Sequence, residues 1–502
     1  MSFEAIHASL AVRGGDPDAL GELARAALAE GEEERALPLL QQAATNRVNA
    51  TLWQWKGLLE RALDEHEKAL ASFSEAARLA PADAGIAHGR ARVALEAGFD
   101  SVALFELARR LAPANGDVLL GLAAARLAAG RGDEAEAEID SILVQVPLWV
   151  QGHAQLAQLR SMLGKADAAT ASLDRALAGT SHPALWQELF QLHLRREDYA
   201  GLQQAIERAR SAGAADDLLV GYEAIAAAEL ADFGRADALF AAAEGAGGPP
   251  LAIWRIRHLL RSGRAHDALP LIDRELGGER AADAWPYAAA AWRLTGDERW
   301  QWLEGDERLV SVLDLSADLP PMDSLAGVLR ALHKARGEYL DQSVRGGTQT
   351  DGPLFARIEP EIRGLRAAVV RAIGRHLAQL PPPDPRHPLL SRPRDRRVRF
   401  SGSWSVRLRG AGYHANHVHP QGWISSALYV ALPEADASDV PHAGWLTLGE
   451  PHAQLQLALP PIRRVAPRPG QLVLFPSWMW HGTVPFVQGE RLTVAFDVAP
   501  PR

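Results

Sequence analysis

Over the first 300 residues, apolar and polar positions follow a helical period, broken by short turns that contain Gly and Asp. The pattern restarts after each break, which predicts a series of amphipathic helices continuing to about Trp302. The run Ser316-Ala317-Asp318-Leu319-Pro320-Pro321 ends it, because paired prolines cannot continue a helix. This break divides the chain into an all-helical unit, 1–315, and a second unit, 316–502. The second unit opens with two more helical stretches, 324–340 and 362–380, and a Gly- and Thr-rich loop over 345–350. From Val398 the period changes, and strands are predicted at 404–408, 423–431, 444–448, 472–475 and 492–498. Short strands without helices between them predict a sandwich or barrel.

The helical unit is itself repetitive. Its clearest segment carries Trp53, Gly57, Ala69, Phe73, Ala76 and Pro81. The small residues let two helices approach, Phe73 and Ala76 share a face, and Pro81 stops the second helix. Pro81, Pro113, Pro147 and Pro183 follow at intervals of 32, 34 and 36 residues, and Phe105 and Ala108 repeat the roles of Phe73 and Ala76. The segment resembles the tetratricopeptide repeat at most signature positions. Glu60 stands where that family usually has an aromatic, which implies a weaker contact there. Seven to nine helical hairpins would stack into a solenoid. The resemblance implies a groove that takes a protein or peptide partner; mere spacing or dimerisation of the second unit is the alternative.

Composition narrows the function classes. There is no Cys, which excludes disulfide scaffolds, thiolate zinc sites and cysteine nucleophiles. No apolar run approaches the roughly 20 residues that cross a bilayer, so no membrane role is expected. The start at Met1 lacks a secretory pattern, and a cytoplasmic location is the expectation. The net charge of −9 is unevenly distributed: residues 321–502 carry 22 basic against 14 acidic side chains, leaving −17 for residues 1–320. An acidic solenoid favours a basic partner segment. The basic stretch Arg392-Pro393-Arg394-Asp395-Arg396-Arg397-Val398-Arg399 has no interleaved aromatics, so it reads as a solvated loop and nucleic acid is not an expected partner.

Candidate chemistry lies in the strand-rich part, where six of the 17 histidines fall between His414 and His481. In the run His414-Ala415-Asn416-His417-Val418-His419-Pro420, alternate side chains of an extended segment share a face, so His417 and His419 can hold one metal ion. His481 is a plausible third ligand. Arg491 and Thr493 share a strand face, and an Arg fork with a hydroxyl beside it suits a small dicarboxylate. His414 is a candidate supporting group or base. His442 and His452 read as solvated loop residues, and Trp478 and Trp480 as packing on the outer face of the barrel.

His417-x-His419, then His481, then Arg491-x-Thr493 resembles the double-stranded β-helix dioxygenases that use Fe(II) and 2-oxoglutarate. The flanks are similar to a subgroup of that family found after tetratricopeptide repeats, from Asp341-Gln342-Ser343-Val344-Arg345-Gly346-Gly347 through Trp423-Ile424-Ser425-Ser426 to Pro469-Gly470-Gln471-Leu472. The resemblance spans about 320–502. It implies a double-stranded β-helix (jelly-roll) domain with lead-in helices, following a tetratricopeptide-type solenoid. Iron would be held by His417, His419 and His481. The co-substrate would be held by Arg491, Thr493 and Tyr429, although core packing explains Tyr429 almost equally well. The implied activity is hydroxylation of a protein or peptide recruited by the repeats.

One departure matters: His419 stands where the family has a carboxylate ligand, and three imidazoles also suit zinc. That keeps two alternatives open: a scaffold or 2-oxoglutarate/metal sensor with a degenerate barrel, and a three-histidine hydrolase or cupin-type dioxygenase. Three expectations follow. His419→Asp retains metal, metal binding fades as pH falls near ~6.5, and the strand-rich part folds without residues 1–310.

Overall fold

The computed structural model describes residues 1–13, 16–245, 248–340, 343–433 and 441–501. Nineteen α-helices among these residues, from Phe3–Arg13 to Arg299–Glu304, build the N-terminal solenoid. In two successive repeats the aromatic of the second helix fits against glycines of the first helices around it. A Cβ at Gly57 or at Gly89 would collide with the Phe73 ring, and one at Gly121 with Phe105. This is why the repeat pairs large with small residues. Glu60 is not simply a weak contact. Its buried carboxylate accepts from Lys56 Nζ and from Ser72 Oγ, each at 2.6 Å, so a hydrogen-bonded cluster fills the place of the aromatic.

The turns inside several hairpins face the C-terminal part of the same chain. Arg399 donates to Gly31 O (3.2 Å) and Arg397 to Leu63 O (2.7 Å). Ile358 N donates to Ala97 O (3.3 Å), and Arg336 N to Met162 O (2.8 Å). Charges match along this seam: Arg399 with Glu33 and Glu34, Arg397 with Glu65, Arg366 with Asp64, Arg363 with Glu67 and Arg336 with Asp133. The stretch from Arg392 to Arg399 is a largely exposed loop leading into β3, as expected, but Arg397 and Arg399 also give the acidic solenoid basic partners from its own chain. Exposed pairs of this kind are worth about 0–1 kcal/mol each, so they align the two parts more than they stabilise them.

The strands are β1 (Ser311–Asp314), β2 (Val344–Gln349), β3 (Phe400–His414), β4 (Ile424–Ala431), β5 (Leu446–Leu448), β6 (Arg463–Val465), β7 (Gln471–Pro476), β8 (His481–Thr483) and β9 (Glu490–Val498). They form a six-stranded antiparallel sheet, in order β1-β7-β4-β9-β3-β2, and a three-stranded sheet, β6-β5-β8. The Gly- and Thr-rich segment expected as a loop is strand β2. It pairs with β3 across a register shift at Arg345/Gly347, where Gly346 takes φ 70°. The helix expected over 324–340 ends at Leu332. Beyond it the chain is strapped to the solenoid, with Arg336 and Gly337 N–H on Met162 O and Ser161 Oγ on Glu338 O.

One apolar core runs from Ile256 and Trp292 of the last hairpins through the helix Pro360–Gln379 to Leu474 and Phe496 of the sheet. Trp478 and Trp480 do point out of the sheets, but into the helices. Trp480 donates to Pro286 O (3.0 Å), and the His387 ring lies between Trp302 and Trp478. Strand β1, which precedes residue 316, is an edge of the six-stranded sheet. Solenoid and sheets thus share their interior.

Candidate metal centre

His417 lies just beyond the end of β3 and His481 opens β8, and their backbones face each other directly. His417 N donates to His481 O (2.9 Å) and His481 N to His417 O (3.0 Å). His419 is anchored two residues on, where its N–H meets Ser477 O (2.9 Å). His417 and His419, paired by their spacing, and His481, the third ligand the resemblance implies, therefore converge, each with a ligand atom within 4.8 Å of the others.

Their hydrogen bonds set the tautomers. Nδ1 of His417 is 2.8 Å from Ala415 O, and Nδ1 of His481 is 3.0 Å from Met479 O. A carbonyl can only accept, so each ring donates from Nδ1 and turns an unprotonated Nε2 to the centre. Nδ1 of His419 faces Asp497 Oδ2 at 2.5 Å, with the same result. Unprotonated ring nitrogens this close repel one another unless a cation lies between them or a donor such as Ser343 Oγ, 3.1 Å from His417 Nε2, takes one up, and such a cluster is suited to hold a metal. Burial, then the neighbouring imidazoles, hold His417 and His481 well below the usual histidine range. Both rings thus stay deprotonated past the pH near ~6.5 at which free imidazoles take up protons, and the expected fading of metal binding there moves to lower pH.

A narrow pocket leads from the triad to Arg491 and Thr493 on β9, where Thr493 pairs with Tyr429 of β4. Arg491 is 2% exposed and forms no ion pair among the described residues. Its Cζ lies 5.2 Å from the centre of the Tyr429 ring, and both its Nε and the Tyr429 hydroxyl are buried without a hydrogen-bond partner. A buried cation with unsatisfied donors beside it is costly unless an anion completes the pocket. The residues present therefore fit a carboxylate ligand next to a divalent cation.

On the other side, the triad opens into a cleft of about 740 Å³ whose far wall is solenoid: Tyr199, Trp254 and Arg257 face His417, His419 and Trp404 across it. His452, expected to be solvated, lines this cleft half-buried with Nε2 3.8 Å from Glu197 Oε1; His442 is exposed. His414 Nδ1 and His417 Nε2 are each 3.1 Å from Ser343 Oγ. Asp341 and Gln342, in the expected flanking motif, lie outside the described residues. Sequence reading missed Asp497, although Arg491, Thr493, Ala495 and Asp497 alternate on β9 and all line the pocket.

Other histidines set the acid limit of stability. Burial lowers His333 and His376 to about 4. Between that value and the unfolded value near ~6.5, the unfolded chain binds protons that the fold refuses. Stability is thus fully present above ~6.5 and is lost on acidification through this window. Thermal unfolding should show a flat Tm above about pH 7 and a fall from about 6.5 towards 4. A Tm unchanged to pH 4 would contradict the assignment.

Residues 402–497 match the family described as “Putative 2OG-Fe(II) oxygenase”, and residues 100–163 match the tetratricopeptide repeat. No curated protein matches the chain. Similar solved structures include a tetratricopeptide repeat protein from Parabacteroides merdae, at 18% identity over 42% of this chain and 84% of that one, with a TM-score of 0.33. Another is YrrB, a tetratricopeptide repeat protein with an unusual peptide-binding site; identity is 18% over 34% of this chain and 90% of that one, with a TM-score of 0.24. A prolyl-4-hydroxylase from Pseudomonas putida matches at 16% identity over 39% and 94%, with a TM-score of 0.25.

Proposed function

From a chain that joins tetratricopeptide repeats to a 2OG-Fe(II) oxygenase domain, we propose a 2-oxoglutarate- and Fe(II)-dependent dioxygenase acting on a protein or peptide. In this reading the two sheets are the faces of a double-stranded β-helix. The observation that carries it is the buried Arg491, without an ion-pair partner among the described residues, at the end of a pocket that begins at three converging Nε2 atoms. His417, His419 and His481 would hold the iron. Arg491 and Thr493 would grip the distal carboxylate of the co-substrate, and Tyr429 would give its free hydroxyl to the same group. When bound, iron and 2-oxoglutarate supply the oxidising chemistry that hydroxylates a C–H bond and releases succinate.

The chain's own contribution is placement and exclusion of water. Buried β9 and β4 desolvate the carboxylate grip, which strengthens it. The cleft admits substrate on the side opposite Arg491, between the triad and the solenoid wall. A peptide seated there would touch the repeats and the reacting centre at once, which supports recruitment by the solenoid. A second reading, a metal- or 2-oxoglutarate-sensing scaffold, is favoured by the three-imidazole ligand set.

Arg491→Ala should weaken 2-oxoglutarate binding by more than tenfold and leave metal binding nearly unchanged. Losing one partner of a buried charge pair costs on the order of 2–5 kcal/mol. Calorimetric titration of both ligands checks this, and equal co-substrate affinity in the two proteins would remove Arg491 from the site. Succinate formation by the iron-loaded chain separates enzyme from sensor.

A further inference from the structure

We infer that Asp497 is a positioning residue that supplies negative charge to a metal centre whose three candidate ligands are neutral imidazoles. The inference rests on reading the three histidines as a metal site. Two of them, His417 and His481, direct Nδ1 to neutral carbonyls. Only His419 directs Nδ1 to a carboxylate, at 2.5 Å. A carboxylate behind an imidazole draws the Nδ1 proton towards itself and makes Nε2 a more electron-rich donor. The pair His419–Asp497 then acts as one anionic ligand, and the centre has the charge of two histidines and a carboxylate.

The surroundings of Asp497 fit this role. The residue is 8% exposed and His419 is its only ion-pair partner among the described residues. Its other oxygen, Oδ1, accepts from Ser425 Oγ at 2.6 Å, and Ser477 Oγ stands 3.0 Å from Ser425. Both oxygens are thus committed, which holds the carboxylate in register with the imidazole and keeps it from ligating directly. The backbone is fitted around this group as well. A Cβ on Gly422 would lie 2.6 Å from Ser477 Oγ and 3.3 Å from Asp497 Cβ, so only glycine lets the turn after His419 close over the carboxylate. Side-chain bonds to Asp497 cross 78 and 72 positions of sequence, so the arrangement belongs to the tertiary fold.

The test uses the full chain with Fe(II), and Co(II) as a spectroscopic probe, in competition with a chelator. Asp497→Asn keeps the shape and an acceptor oxygen but removes the charge. It should weaken metal binding by about 10–100-fold and shift the visible bands of bound Co(II). Asp497→Ala should lose at least as much. In a His419→Ala background, Asp497→Asn should cost nothing further, because the carboxylate acts only through that imidazole. Wild-type affinity and spectrum in Asp497→Asn would overturn the inference, as would an equal loss on top of His419→Ala. His417→Ala is the separate control: if it binds metal as wild type does, the metal site itself is misread, whatever Asp497 does.

Discussion

His419→Ala should cost the protein more metal affinity than any change outside the triad, and His419→Asp should not repair the loss. Removing one of three donors exceeds the roughly 10–100-fold cost of losing a supporting hydrogen-bond partner. From motif alone, Asp at 419 recreates the usual two-histidine, one-carboxylate ligand set. The tertiary structure reverses that expectation, because position 419 already faces Asp497. A second carboxylate there would put two negative charges in one buried site, where one of them is driven to take up a proton. The shorter side chain would also leave Asp497 without its buried partner. The repair should instead appear in the double variant His419→Asp with Asp497→Asn, where one carboxylate and one amide replace the native pair. Iron content after dialysis, measured for the four proteins side by side, decides the matter. Full metal in His419→Asp alone would mean that Asp497 imposes no electrostatic constraint on that position.

Deleting residues 1–310 should leave a C-terminal part that does not fold, although every candidate ligand lies beyond the cut. Trp480 is buried against the last hairpins, where it bonds to Pro286 and packs on Tyr287. Side chains of this kind bury on the order of 150–250 Å² each. At about 25 cal/mol per Å², exposing Trp480 alone costs roughly 5 kcal/mol, already within the ~5–15 kcal/mol that stabilises a whole domain. The expected result is an insoluble product, or one without a cooperative thermal transition. A soluble fragment with a sharp transition would show that the shared core is dispensable, and the independent folding expected from the strand pattern alone would stand.

The helices were legible because their causes are local. A 3.6-residue period, a glycine opposite an aromatic and a proline after the second helix are all read within one hairpin, as at Gly57, Phe73 and Pro81. The same holds for the central strands β4 and β9, which carry the short apolar runs Ala427-Leu428-Tyr429-Val430-Ala431 and Val494-Ala495-Phe496. Strand β2 was hidden because Gly346 and Gly347 carry no strand preference of their own; pairing with β3 decides their conformation. Helical propensity after Leu332 was overridden in the same way, by hydrogen bonds from Arg336 and Gly337 to Met162.

For this protein, the order of amino acids by itself determined the period of the repeats, the change from helix to strand and the pairing of His417 with His419 on one face. Each of these depends on neighbours within a turn, a strand or a short motif. Only the tertiary structure decided where charges meet: Arg399 with Glu34 across 365 positions, Asp497 with His419 across 78, and the solenoid wall against the cleft of the triad. Electrostatic and packing energies depend on distances in space, and sequence separation carries no information about those distances until the chain is folded.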